Sequence, residues 1–274
     1  EGLNKTYSIF LGTKMNTTEK KMIELLKRLK DECGVIEIKA EYENEGSRPD
    51  ELMRLKDVAG SAGLPVIIKI GGVEAVSDIY SAITLGAKGV IAPMAESKFA
   101  VSKFTSAIEQ FVPSDARSDI GFYINIETIT AYNNIDEILS LNDISILEGV
   151  TIGRVDFTAS MNKDRGFVNS PEMLQYCENI FTKCREKNLK CALGGAISTE
   201  SEGFIHHLAE RDLVDKFETR KVVYEKSALD SMDKAILLGV EFELLWLESK
   251  ERYYHRIKIE DQKRILMLKN RLKD

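Results

Sequence analysis

Histidine, tryptophan and proline are scarce in this chain of 274 residues, with three His, one Trp and five Pro. His206 and His207 share one helical pattern and His255 falls in another, so a histidine metal centre or a histidine proton relay has few candidates. The four cysteines, Cys33, Cys177, Cys184 and Cys191, form no Cys-x-x-Cys pair, which sets aside zinc and disulfide frameworks in favour of buried thiols. No apolar run approaches the roughly 18 residues of a membrane span. Basic residues do not exceed acidic ones: 38 Lys and Arg face 44 Asp and Glu, for a net charge of −6. That balance lacks the concentrated basic surface that nucleic acid requires. The chain opens EGLNKTYSIF, with neither a basic n-region nor an apolar h-region, so a cytoplasmic location with no membrane partner is expected.

What the sequence does contain is an alternation of strand and helix patterns from end to end. This predicts one α/β domain, a (β/α)8 TIM barrel over residues 1–230, with an extended C-terminal helical segment over 231–274. YSIFLGT reads as a first strand, and Asn16, Thr17 or Thr18 as the cap of the helix that follows. In GVIEIKAEYENEG, Ile36, Ile38 and Ala40 alternate with Glu37, Lys39 and Glu41. The pattern places the charged set either inside a barrel or in water. LPVIIKIGG is a strand ending at Lys69, and KGVIAPMAES one ending at Glu96. KCALGGAIS is the seventh strand, and its Gly194–Gly195 pair reads equally as a backbone cradle for an anion or as a turn. FETRKVVYE is the eighth.

The stretch from Gly121 to Met161 organises the rest. It reads as strand, helix, strand, and period two puts Tyr123, Asn125 and Glu127 on one face of the first strand and Arg154 with Asp156 on one face of the second. Glu127 and Asp156, 29 residues apart, are then well placed to hold one hard divalent cation through oxygen ligands. Glu37, Lys39, Glu41, Lys69, Asn125, Glu127, Arg154 and Asp156 are expected to converge in one cavity. NKDRGFVNS, just beyond, is expected as a loop over the barrel mouth. The apolar residues of the final segment, Leu237, Val240, Leu244 and Leu247 among them, ask for cover, and an oligomer contact is expected there.

PVIIKIGG, LGAKGVIAPMAES, INIET with NIDEIL, and EGVTIGRVDFTASM, in that order, resemble the HpcH/HpaI aldolase and citrate lyase family of the phosphoenolpyruvate/pyruvate barrel superfamily. The resemblance spans roughly residues 7 to 230. It implies a divalent-metal-dependent carbon–carbon lyase or aldolase that acts on a pyruvate-like 2-oxo acid through a metal-stabilised enolate. An aldehyde is the second small-molecule partner. It also implies Mg2+ or Mn2+ on Glu127 and Asp156, Asn125 beside the metal, and the substrate carboxylate near Gly153 and Asp156. The chain departs from the family pattern at three points. Lys69 stands where an Arg is usual at the end of strand three, and Lys39, Glu41 and Tyr42 stand where strand two usually carries Glu and His. Arg154 occupies a position usually small or Pro. Acid–base work is thereby expected of Glu41, Tyr42, Glu43 or bound water, and Arg154 is expected to replace the missing strand-three Arg. Alternatives remain: a phosphoenolpyruvate- or pyruvate-using transferase or hydrolase, with Lys39, Lys69 and Arg154 meeting phosphate, a Schiff-base aldolase using Lys69, or a non-catalytic barrel that binds a small acid or a protein.

Overall fold

Short runs such as VIIK, GVIA and GFYINI are apolar with few breaks, the pattern of strands covered on both faces. A computed structural model describes residues 15–272, and these runs form its central barrel. In chain order the elements are α1 (Thr17–Cys33), β1 (Val35–Glu41), α2 (Pro49–Ser61), β2 (Val66–Lys69), α3 (Val76–Leu85), β3 (Gly89–Ala92), α4 (Lys98–Phe111), β4 (Gly121–Ile126), α5 (Ile129–Asn133) and α6 (Ile135–Leu139). They continue with β5 (Gly149–Gly153), α7 (Arg154–Ser160), α8 (Pro171–Glu186), β6 (Lys190–Gly194), α9 (Glu202–Glu210), β7 (Lys216–Glu218), β8 (Val222–Glu225) and α10 (Met232–Arg271).

The eight strands close in the order β1 to β8. The TIM barrel with a C-terminal helical extension is therefore the observed fold, although the eighth strand is reached differently from the sequence reading. YSIFLGT lies outside the described residues. FETRKVVYE, read as one strand, is a hairpin: β7 runs parallel to β6, while β8 is antiparallel to both β7 and β1. Thr219 makes the reversal, its hydroxyl accepting from Val222 N at 3.2 Å. Asn16 caps α1 as expected, accepting from Glu19 N at 2.9 Å while the Glu19 carboxylate takes the Asn16 N–H at 2.8 Å. β3 stops at Ala92, so Glu96 lies in the loop beyond it.

Parity sorts the strands. Ile38 and Ala40 of β1, and Phe122, Ile124 and Ile126 of β4, pack outward into the core shared with the helices, while Ile67, Ile91, Tyr123 and Val223 form a separate small cluster inside the barrel. Below that cluster Lys216 pairs with Glu37 at 2.9 Å and lies 4.4 Å from the Tyr123 ring centroid. Glu37 thus belongs to the N-terminal end of the barrel and not to its mouth. All four cysteines are free and buried. Among the described residues no helix is long and apolar enough to cross a membrane.

Candidate active site

The C-terminal mouth collects acidic side chains around a few lysines. Lys39, on the inner face of β1, reaches Glu218 of β7 at 2.5 Å and Glu41 at 3.3 Å. Lys69, the last residue of β2, lies 2.7 Å from Glu43 and 3.7 Å from Glu127. Burial by itself would lower the pKa of each lysine, but the carboxylates around them win and hold both above the ordinary lysine value. Lys221, in the hairpin turn, is fully buried against Glu45 and Trp246, and there burial wins and lowers its pKa. Glu43 and Glu45 both come from the loop after β1, so two lysines hold that loop over the mouth.

Glu127 follows β4 directly and is 2% exposed. Its Oε1 accepts from Met94 N at 2.9 Å and its Oε2 from Asn125 Nδ2 at 3.1 Å. Burial raises its pKa; Lys69 and the two hydrogen bonds oppose the rise, and Asp156 adds to it. Burial also acts to raise Glu41, but Lys39 and Lys69 outweigh it and leave that carboxyl below the ordinary glutamate value. Gly153 makes room for Glu127, because a Cβ there would stand 2.6 Å from Glu127 Oε2.

The structure corrects three of the expected assignments. β5 ends at Gly153, and Arg154 and Asp156 open α7 instead of sharing a strand face. Arg154 is completely buried and turns away from the mouth. Its five N–H donors go to Gly194 O (3.2 Å), Val168 O (2.9 Å), Asn169 Oδ1 (2.7 Å), Gly195 O (2.9 Å) and Ser201 Oγ (3.4 Å), with the Phe204 ring 4.8 Å from the guanidinium. Desolvation without a carboxylate partner lowers its pKa to about 10. It is a structural clamp, and no donor remains to replace the missing strand-three Arg. Tyr42 has the opposite parity to Glu41 and packs on the outer core beside α3, its hydroxyl buried without a hydrogen-bond partner.

The expected loop at 162–170 contains a 3-10 turn over Arg165–Asn169, pinned by Arg154. The same clamp occupies the carbonyls of Gly194 and Gly195. Gly195 has φ +81°, and a Cβ there would lie 2.5 Å from Arg154 N, so this glycine seats β6 against the start of α7. Its role is close packing, and Gly194 beside it is fully enclosed in the barrel wall.

The sequence reading missed Glu218, Lys221 and the Glu45 contact. Parity within FETRKVVYE would have turned Glu218 inward with Lys216 once the hairpin was recognised; no sequence signal marks Lys221, whose burial depends on α10 covering it.

Among the described residues no group of three or more His, Cys, Asp or Glu side chains is arranged to hold a metal ion. Asp156, in the first turn of α7, is the smallest of the influences that act on the Glu127 carboxyl, and the neighbouring Asn125 Oδ1 is a buried oxygen without a partner. Two carboxylates and an orphaned amide oxygen, with water and substrate completing the shell, suit a small hard cation that keeps several of its waters. His207 instead bonds Glu178 at 2.8 Å, and His206 is exposed. A cleft of about 670 Å³ between α1, α2 and α10, lined by Glu51, Arg54, Trp246 and Tyr254 among others, is separate from this mouth.

A closed eight-stranded barrel with its polar inner residues gathered at the C-terminal strand ends is the TIM class of α/β protein, in which active sites occupy that face. Within the class, the model of the HpcH/HpaI aldolase/citrate lyase family matches residues 54–206, more than half of the sequence, and the chain belongs to that family. Membership supports an enzyme of the lyase or aldolase type. No curated protein matches the sequence. Among solved structures, the HpcH/HpaI aldolase from Desulfitobacterium hafniense DCB-2 superposes with a TM-score of 0.59 at 16% identity, covering 74% of this chain and 82% of the other. A HpcH/HpaI aldolase/citrate lyase family protein from Burkholderia cenocepacia J2315 gives 0.57 at 11% identity over 90% and 91%. The citrate synthase SbnG gives 0.56 at 14% over 81% and 89%. At such identities the likeness is one of fold.

Proposed function

We propose that this chain is a divalent-metal-dependent carbon–carbon lyase or aldolase acting on a pyruvate-like 2-oxo acid, Mg2+ or Mn2+ being held by Glu127 and Asp156. The observation that carries the reading is the buried Glu127 carboxylate, with Asp156 acting on it from α7 and the Lys69 ammonium 3.7 Å away. The chemistry supplied by such a cation is Lewis-acid polarisation of the 2-oxo group. Lys69, kept protonated by Glu43 and Glu127, adds a fixed positive charge where negative charge develops on substrate oxygen. Asn125 Nδ2 holds Glu127 in place. Glu41 and Glu43, at the end of β1 and just beyond it, are the groups available to move a proton in the absence of the usual histidine. The substrate carboxylate meets Lys69 by taking the position that Glu43 now fills.

The Schiff-base alternative needs a neutral amine, and the carboxylates around Lys69 oppose that. A transferase or hydrolase reading needs Lys39, Lys69 and Arg154 free for phosphate, whereas Arg154 is spent on carbonyls and Lys39 on Glu218 and Glu41. Pyruvate consumption in the presence of an aldehyde panel, with Mg2+ or Mn2+ and with EDTA, tests the reading. Metal-dependent loss of pyruvate is expected, and turnover indifferent to EDTA would sink it.

A further inference from the structure

The lysines of the mouth differ in what a ligand would have to displace. Lys39 is enclosed between Glu218 at 2.5 Å and Glu41 at 3.3 Å, both buried carboxylates. Lys221 is enclosed in the same way against Glu45. Lys69 is held by one buried carboxylate, Glu127 at 3.7 Å, and by one from the loop after β1, Glu43 at 2.7 Å. The Glu43 side chain is 23% exposed, more than any other carboxylate that pairs with these lysines. Its contact is close but poorly aligned: Glu43 Oε2, the oxygen nearest the ammonium, makes no hydrogen bond. Charge attraction holds it there, and another carboxylate can supply the same attraction.

The backbone on either side of Glu43 is pinned. Tyr42 N donates to Lys69 O at 2.9 Å. Glu45 is anchored on the buried Lys221 and accepts from the Ser47 hydroxyl at 3.3 Å. Asn44 between them is exposed. What is free to leave Lys69 is therefore the Glu43 side chain, by rotation toward solvent between staggered rotamers.

We propose that Glu43 is a built-in competitor for the substrate carboxylate: it occupies Lys69 in the empty mouth, and a 2-oxo acid binds only as Glu43 swings out. This rests on the proposed function, which brings a substrate carboxylate to Lys69. With Glu43 left in place, its carboxylate, that of Glu127 and that of the substrate would crowd one ammonium in a site nearly closed to water, where like charges repel strongly. Only molecules in which Glu43 has left are competent to bind, so the apparent affinity is reduced by their fraction. A minor state of this kind is populated at about a tenth or less, and removing the competitor then tightens binding about tenfold or more. In the empty mouth the same contact spares Lys69 the cost of a buried charge without a close partner.

Pyruvate titrated calorimetrically into the full chain with Mn2+ present, as wild type, Glu43→Gln and Glu43→Asp, tests the proposal; circular dichroism checks that each keeps its fold. The Gln variant loses the charge, whereas the Asp variant keeps it one methylene short of Lys69. Both variants are expected to bind pyruvate about tenfold or more tighter than wild type. A gain in Glu43→Gln alone would show repulsion at a distance instead of occupancy of Lys69, and would overturn the proposal. Equal affinity in all three would overturn it too, while leaving the substrate reading in place. If none of the three binds pyruvate, the substrate reading fails and the competitor has nothing to compete with. The contact itself is read without substrate, from denaturant unfolding of Glu43→Gln, Lys69→Met and the double variant. Losses in the single variants that do not add in the double support it, and additive losses overturn it.

Discussion

The Nζ of Lys69 stands 3.7 Å from Oε2 of Glu127. One belongs to the end of β2 and the other to the residue after β4, and β3 alone separates those strands in the barrel. A cation and an anion so placed are both nearly excluded from water, so a change of charge on either is felt by the other.

Replacing either proposed metal ligand tests the metal reading directly. Glu127→Gln or Asp156→Asn is expected to abolish Mn2+ binding by calorimetry, along with turnover, since each removes an anionic oxygen from a hard cation. Retained stoichiometric Mn2+ binding in both variants would show that the ion sits elsewhere.

The pH dependence of the metal-free protein follows from two opposite shifts. Glu127 has a folded pKa above its ordinary 4.5, so its favourable contribution is complete below 4.5 and is lost as pH rises through the folded value. Glu41 is held below 4.5, so its contribution is complete above 4.5 and is lost as pH falls through its folded value. Thermal melts of Glu127→Gln should therefore lack the decline above 4.5 and give a higher Tm than wild type at neutral pH without metal. Glu41→Gln should lack the acid decline. Mn2+ affinity should weaken on acidification at a higher pH than an ordinary glutamate would cause, because proton and metal compete for Glu127.

Lys69→Ala is expected to retain Mn2+ binding and to lower kcat by about 10²–10³, the usual cost of losing one positioned charge on a developing oxyanion. Because it also strands Glu43 and Glu127, its stability should fall by about 3–5 kcal/mol. The double variant Lys69→Met with Glu43→Gln should recover part of that stability and none of the rate. A Lys69→Ala enzyme at full turnover would remove the lysine from the chemistry.

Tyr42→Phe should leave kcat unchanged, because the hydroxyl lies on the outer side of β1. Stability should be equal or slightly higher, since the hydroxyl is buried without a partner. A fall of about 10² or more in rate would return Tyr42 to the proton route.

Arg154→Lys should lower stability by about 2–4 kcal/mol, because a single ammonium cannot serve the acceptors that the planar fork reaches and leaves several of them unsatisfied. Denaturant unfolding measures this. A variant as stable as wild type would mean that the five hydrogen bonds of the clamp contribute nothing net.

Much of the mouth was legible in the sequence because a strand alternates strictly. Once β1, β2 and β4 are strands, the inward direction of Lys39, Glu41, Lys69 and Asn125 and the opposite direction of Tyr42 follow from parity; reading Tyr42 as a partner of Glu41 overlooked that parity. Arg154 and Asp156 were misread where parity stops, at Gly153. A helix beginning there rotates successive side chains by about 100° instead of 180°, and the two residues part.

The family motifs, the barrel and most of the outward and inward faces of its strands were determined by local pattern alone; Ile36, expected on the face of Ile38 and Ala40, instead packs on the inner cluster, where the β1 register shifts between Val35 and Glu37. Tertiary structure decided how the barrel closes, with a hairpin whose turn delivers Glu218 and Lys221, and which charges meet. It also decided that Arg154 binds carbonyls and not substrate. The reason is that a side chain's partners lie on neighbouring or next-neighbouring strands that are remote in sequence, 41 residues away for Arg154 and Gly195 and 179 for Lys39 and Glu218. The distance between them is set by strand order and tilt, and no local spacing in the chain encodes it.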